Sequence, residues 1–313
     1  MADLLSYVIR KLLLAIPVIF LATFIVFLML YLTPGDPALA LVPPRHTPAD
    51  VEEVREKYGF NDPIYVQYGS FLWRLFNGDL GSSVSPATTG LEVSSMIVQR
   101  LPRTLELMAI GLTISYSMGI PLGIFSALRQ NSLGDRSVMV FTLITYAMPS
   151  FWLGILLMML FGVYLQWLPI SGTVGGFSSI ILPAITLGLG NAALTTRMMR
   201  SSMLEVARQD YITQLRSRGL PENEVIYKHA MKNAMLPVIT VIGLDIGWFV
   251  GGAVVVEKVF SWQGIGMLTV DAIEKDDFPV VQGCIMVLAI FVILGNLVAD
   301  ILYAYADPRV RLG

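Results

Sequence analysis

Few side chains in this sequence stand where acid–base, nucleophilic or metal chemistry could be done. Cys284 is the single cysteine and lies in an apolar run, which excludes an internal disulfide and a thiolate metal cluster. His46 and His229 are far apart, so no His-rich metal site is expected. Neither G-x-S-x-G nor H-E-x-x-H occurs, and no lysine follows a glycine, so the phosphate-cradling G-x-x-x-x-G-K-[ST] loop is missing. The expectation is no catalytic residue, no metal site, and neither ATP nor another cofactor bound by this chain.

What remains is polar groups set in apolar surroundings. Asp245 is the clearest, because an ionisable group inside a membrane is costly and by default marks function. Gly243, Gly247 and Gly251 recur every four residues around it and make a small-residue stripe that lets another helix approach. Asp245 is two positions from Gly243 and Gly247, hence on roughly the opposite face. Either the stripe packs on a neighbouring helix while Asp245 faces a solute pathway, or Asp245 makes a structural hydrogen bond to an Asn or Ser of a partner. Asn191 and Thr195, four apart, form a second polar stripe suited to core hydrogen bonding or to the pathway.

The composition sets the scene for these groups. Of 313 residues, 55% are hydrophobic and 14% charged, against roughly 25% charged in an average soluble domain. Mean hydropathy is +0.68. Six segments reach the roughly 20 apolar residues that a bilayer core demands: 12–32, 104–128, 137–167, 180–199, 236–256 and 280–303. The run Leu12–Leu32 holds 21 residues, too long for a signal-peptide core. The expected fold class is an all-α integral membrane protein of six transmembrane helices. Three regions follow: a cytoplasmic N-terminus with the first span (1–32), an extracytoplasmic segment (33–103), and a five-helix core (104–313).

Charge asymmetry orients the chain. If 1–11, 129–136, 197–236 and 304–313 are cytoplasmic, those 69 residues carry 13 Lys and Arg, whereas the other loops carry eight in 106 residues. Both termini are thus expected in the cytoplasm. Outside, Thr33-Pro34-Gly35-Asp36-Pro37 reads as a turn. Thr47-Pro48-Ala49-Asp50 reads as a helix start. Tyr65, Tyr68, Phe71, Leu72, Leu75 and Phe76 recur at helical spacing, so a second, amphipathic helix is expected there. This segment either covers the outer ends of the spans or receives a partner. Pro121, Pro149 and Pro183 are candidate kinks. Trp167 and Trp262 read as interface anchors, and Asn296 and Asp300 fall near the inner end of the last span.

The loop 200–236 carries most information. The fourth span is expected to run on to about Gln209. Asp210 then caps a short helix, Tyr211–Arg218, ended by Gly219. Leu220-Pro221 starts another helix that runs through His229 to about Met231. Arg208, Arg216, Arg218, Lys228 and Lys232 face water. On spacing alone, this elbow could be a basic loop meeting lipid headgroups, or a handle for another polypeptide.

The arrangement Tyr211-Ile212-x3-Arg216-x-Arg218-Gly219-Leu220-x8-His229-Ala230-x2-Asn233-Ala234-x2-Pro237 resembles the cytoplasmic "EAA" loop of binding-protein-dependent ABC importer permeases. The likeness extends to Tyr58-Gly59-Phe60-x2-Pro63, Gly78-Asp79-Leu80-Gly81, Pro149-Ser150-Phe151-Trp152-x-Gly154, Glu257-x2-Phe260-Ser261-Trp262-x-Gly264-x-Gly266 and Asp307-Pro308-Arg309-x-Arg311. Together these resemble the first of two permease subunits in the dipeptide, oligopeptide, glutathione and nickel importer group. Leu215 and Thr213 depart from the commoner family residues in the elbow, which implies a somewhat different fit.

The resemblance implies that Asp210, Tyr211, Arg216, Arg218, Gly219, Leu220, His229, Asn233 and Pro237 form an ATPase-coupling surface. It also implies a homologous second permease, two ATPase subunits that hold ATP and Mg, an extracytoplasmic solute-binding protein, and the bacterial inner membrane as location. No nucleic-acid partner is expected. The alternative is a stand-alone secondary transporter or channel that draws an ion through Asp245.

Overall fold

Lipid offers no partner for a free backbone amide, so apolar spans must satisfy their hydrogen bonds internally. The chain does so in helices throughout the computed structural model, which describes residues 2–32, 36–173 and 175–306. Helix α1 (Ala2–Leu32) leads to two short helices, α2 (Pro48–Tyr58) and α3 (Ile64–Phe76). Helix α4 (Val93–Leu128) returns through the bundle. It is followed by α5 (Leu133–Ala147) and α6 (Ser150–Leu157), the latter continued by wider π-helical turns over Met158–Tyr164. Helix α7 (Phe177–Ala207) passes into α8 (Asp210–Ser217) and α9 (Glu222–Glu224). A π-helical stretch, Val225–Ala230, then joins α10 (Met231–Phe260), and α11 (Ile265–Glu274) and α12 (Phe278–Ala306) complete the described chain. Thr33-Pro34-Gly35 of the expected turn and Asp307–Arg311, quoted above for the resemblance, lie outside the described residues.

Among the described residues, four helices are long and apolar enough to cross a membrane, and the number rises to six if each of two bent pairs counts as one span. The bends are the main departure from six uniform spans. The expected third span turns by 109° between α5 and α6. Met148, at the break, is extended at φ −80° and ψ 131°, as the residue before a proline is pushed to be. Pro149 therefore breaks its span, whereas Pro121 and Pro183 sit inside continuous helices. The fifth span is bent by 48° between Glu222–Ile242 and Leu244–Phe260.

Glycines let α4 and α7 lie against each other. A Cβ on Gly119 would stand 2.8 Å from that of Thr195, one on Gly123 2.6 Å from that of Met199, and one on Gly188 2.6 Å from the carbonyl oxygen of Gly111. Leu107, Leu182, Leu187, Phe249 and Phe260 fill the central core. A second cluster at the elbow end, with Met199, Met203, Ile212, Val225 and Ala234, ties the elbow to the bundle.

The segment between α1 and α4 follows its sequence signals. Thr47 and Asp50 form a reciprocal capping box with Pro48 at the first helical position. Helix α3 lays Tyr68 and Phe71 on Phe27, with ring centroids 5.4 and 5.6 Å away, and leaves Tyr65, Trp73 and Phe76 exposed. Buried Asp277 accepts the amides of Val84 and Ser85 at 3.2 and 3.4 Å and the hydroxyl of Ser83, which pins this segment to the start of α12. Trp262 is not an interface anchor. It is 1% exposed, and its indole N–H donates to the Arg103 carbonyl at 2.9 Å. Exposed Trp167 lies on the surface instead. Lys11 pairs with Asp300 at 2.8 Å, which brings the last span's polar end beside the start of α1.

Candidate functional site: a basic hairpin and an acid-lined cavity

The basic hairpin is built by a helix that stops at a glycine. Asp210 is the first residue of α8, where its charge favours the helix dipole, and Gln209 takes the capping position. Gly219 adopts φ +79°, a left-handed conformation that glycine reaches without steric cost. Its N–H donates to the Arg216 carbonyl at 2.9 Å, and the Leu220 N–H donates to Leu215 at 3.4 Å. The next helix starts after Pro221 rather than on it. It does not end near Met231: the π-helical stretch carries it straight into α10.

The hairpin is closed on itself from two sides. Asn233 donates to the Tyr211 hydroxyl at 2.6 Å, joining α8 to α10. Arg216 grips Glu222 with two nitrogens at 2.7 and 3.1 Å across the Gly219 turn. The Arg216 hydrogen bonds hold the Glu222 carboxyl below the usual carboxylate range, and Lys228 does the same for Glu224. Leu220 packs partly buried on the inner core, while Arg208, Arg216, Arg218, Lys228 and Lys232 are exposed. His229 is half-buried in the π-helical stretch, and Pro237 is exposed inside α10.

From Val225 the helical path leads to Asp245, about 30 Å further on at 1.5 Å per residue. Asp245 is 6% exposed. The Asn191 amide donates to its Oδ2 at 2.6 Å and the Tyr116 hydroxyl donates to the same oxygen. Asn191 also donates to Ser115 at 3.1 Å. Asp245 and Asn191 line a cavity of about 420 Å³ with Thr145, Pro149, Leu194 and Trp248, so the break between α5 and α6 forms one of its walls.

Thr195 is buried against Gly119 and is not among the cavity's lining residues. A Cβ on Gly247 would stand 3.2 Å from Val292 and 3.8 Å from Asn296 of α12, whereas one on Gly251 would meet open space; the surroundings of Gly243 are not described. Sequence reasoning passed over Tyr116, Trp248 and the glycines of α4. The polar triplet Ser115-Tyr116-Ser117 inside an apolar span, and Gly111, Ser115, Gly119 and Gly123 at four-residue spacing, were the signals that could have found them.

Comparison with known proteins agrees along the whole length. The family described as "Binding-protein-dependent transport system inner membrane component" matches residues 119–312, and its N-terminal companion matches residues 4–108. The oligopeptide transport system permease protein AppB of Bacillus subtilis is 41% identical, with 98% of this chain and 99% of that protein covered. The di/tripeptide transport system permease protein DppB of Pseudomonas aeruginosa is 39% identical, over 98% of this chain and 99% of its own. A chain in a solved inward-facing structure of the MetNI methionine ABC transporter shares the fold over 68% of this chain and 96% of its own, with a TM-score of 0.58 at 16% identity. The chain belongs to the family of inner-membrane components of binding-protein-dependent transport systems.

Proposed function

We propose that this chain is one permease subunit of an ATP-driven importer that moves peptides or peptide-like solutes into the bacterial cytoplasm. The observation that carries this reading is its relatedness, end to end, to permeases named for oligopeptides and for di- and tripeptides. In this reading six spans cross the membrane with both termini inside. A homologous second permease packs beside them, a solute-binding protein delivers cargo outside, and two ATPase subunits hold ATP and Mg inside. This chain has no ATP site of its own. The ion-driven alternative through Asp245 finds no support among the relatives.

The geometry supplies a mechanical route. Exposed Arg216, Arg218 and the Gly219 turn form the tip of a stiff hairpin that an ATPase can grip. Asp210, Tyr211, Leu220, His229, Asn233 and Pro237 fix how the tip is presented to it. Closure of the ATPase pair around ATP moves the hairpin, and the helix that leaves it carries Asp245. Motion at the tip thus reaches the cavity wall, and hydrolysis resets it.

Affinity purification of the tagged chain in mild detergent tests the reading. An ATPase chain and a second permease should co-purify in stoichiometric amounts, and peptide plus its binding protein should stimulate ATP hydrolysis. A chain that purifies alone and supports ion-driven flux in vesicles would overturn it.

A further inference from the structure

We infer that the cavity at Asp245 is a binding site for a primary ammonium group, the α-amino end of a zwitterionic peptide in transit. The inference rests on the importer reading above and names what this one pathway site recognises.

Both hydrogen bonds to the Asp245 carboxylate reach Oδ2, from Asn191 and Tyr116. Oδ1 receives no donor from the described residues, yet among them no buried side-chain oxygen is left unsatisfied, so Oδ1 is accessible, and Asp245 lines the cavity. No Lys, Arg or His among the described residues pairs with this acid, although Asp135, Asp271 and Asp300 all have such partners. A carboxylate held in an apolar bundle without a cation is expensive, and it is stabilised when a cation arrives.

The chemistry of the lining selects among cations. Among the described residues no group of three His, Cys, Asp or Glu side chains could hold a metal ion. Tyr146 and Trp248 line the same cavity, and the exposed Trp248 suits an alkylammonium group through cation–π attraction. The Arg197 guanidinium lies 5.6 Å from the Tyr146 ring centroid. Arg197 is six residues beyond Asn191 on α7, about 9 Å along the axis. An acid at one place and a guanidinium further inward order a zwitterion by its two ends. The volume of about 420 Å³ falls within the range of small-ligand sites.

The test reads the cavity directly in the purified complex. Cys284 is replaced by alanine, and Ser150→Cys places a thiol on the cavity wall. Its reaction rate with aminoethyl methanethiosulfonate, a primary ammonium, is compared with that of the neutral methyl reagent. The cationic-to-neutral rate ratio should fall on the order of tenfold in Asp245→Asn and should persist in Asp245→Glu, which keeps the charge and controls for folding. A peptide with a free amino terminus should slow labelling, and its N-acetylated form should not. An unchanged ratio in Asp245→Asn overturns the inference, since a proton or a partner subunit's cation then neutralises the acid. Peptide-stimulated ATP hydrolysis in the same preparation keeps the importer reading standing in that event, and its absence sinks that reading separately.

Discussion

Gly123 of α4 and Met199 of α7 are so close that a Cβ on the glycine would lie 2.6 Å from the methionine's, with the Thr196 carbonyl oxygen 2.7 Å away. A backbone atom cannot swing aside as a side-chain end can, so the helices themselves must part. Gly123→Ala should therefore destabilise the bundle by about 1–3 kcal/mol, the usual cost of overpacking. Gly251→Ala, which meets nothing within 4 Å in this chain, should leave folding of the subunit unchanged. Thermal unfolding of the two variants in detergent decides the matter, and equal melting temperatures would place the tight packing elsewhere.

Glu257 closes the outer end of α10. It is fully buried and accepts the Thr104 hydroxyl at 2.7 Å and the Met267 amide at 3.0 Å, while Thr104 in turn accepts the Ile265 amide at 2.8 Å. One side chain thus joins α4, α10 and the start of α11. Glu257→Ala strands a buried hydroxyl and a buried amide, at about 1–3 kcal/mol for each unsatisfied group. The expected outcome is a lower melting temperature and earlier proteolysis between α10 and α12. Glu257→Gln keeps the shape and one acceptor oxygen, so its loss should be smaller.

At the opposite end, Arg200 holds buried Asp135 with two bonds of 2.8 Å, and Ser126 and the Asn131 amide complete its shell. Removing one partner of a buried pair costs about 3–5 kcal/mol, more than removing both. The Arg200 side chain is 23% exposed, which puts Arg200→Ala at the low end of that range. The double variant Arg200→Ala with Asp135→Ala should recover part of the loss. A double variant worse than the single one would mean that the contact does more than neutralise a buried charge.

How much of this was readable in the sequence depends on what set each feature. The long apolar helices, the helix start at Thr47 and the Gly219 stop are local, fixed by hydropathy or by one residue's backbone freedom, and the sequence shows them directly. The elbow's continuation into α10 was hidden because polarity bounded the short helix near Met231 and the span at residue 236, while the helix runs unbroken through Pro237 and bends beyond it, between Ile242 and Leu244. Trp262 looked like an interfacial anchor from its position near a span end, but its partner, the Arg103 carbonyl, is 159 residues away in sequence. Asp245 was visible as an isolated charge. That Tyr116 and Asn191 converge on it was not, because two other helices bring them there.

The hairpin's turn gives a prediction for coupling. Gly219→Val puts a β-branched residue at φ +79°, a conformation such residues rarely adopt. The strain of about 1–2 kcal/mol falls on an exposed turn, so the bundle should still fold. The tip formed by Arg216 and Arg218 should change shape, lowering co-purified ATPase and solute-stimulated hydrolysis. Gly219→Asn, which tolerates a left-handed backbone, should keep more of both. Normal stimulated hydrolysis in Gly219→Val would argue that the tip is not the grip.

Two forces hold the sharp break between α5 and α6, and they can be separated. Pro149 forces Met148 out of the helical region and lacks an N–H, whereas Gly154 lies against Phe260, where an added Cβ would be 3.0 Å from the ring. Pro149→Ala restores the N–H and lifts the steric bar, so α5 is free to extend by a few residues. For the span to straighten, however, α6 must leave Phe260, and the buried ring loses contact area. Proline alone is worth about 3 kcal/mol inside a helix, comparable with exposing part of a large aromatic side chain, so neither force dominates by size. If the proline governs, Pro149→Ala removes a wall of the Asp245 cavity, labelling at Ser150→Cys changes, and uptake falls while the complex still assembles. If labelling and uptake stay as they were, the Gly154–Phe260 contact sets the bend, and Gly154→Leu should then produce the loss that Pro149→Ala did not.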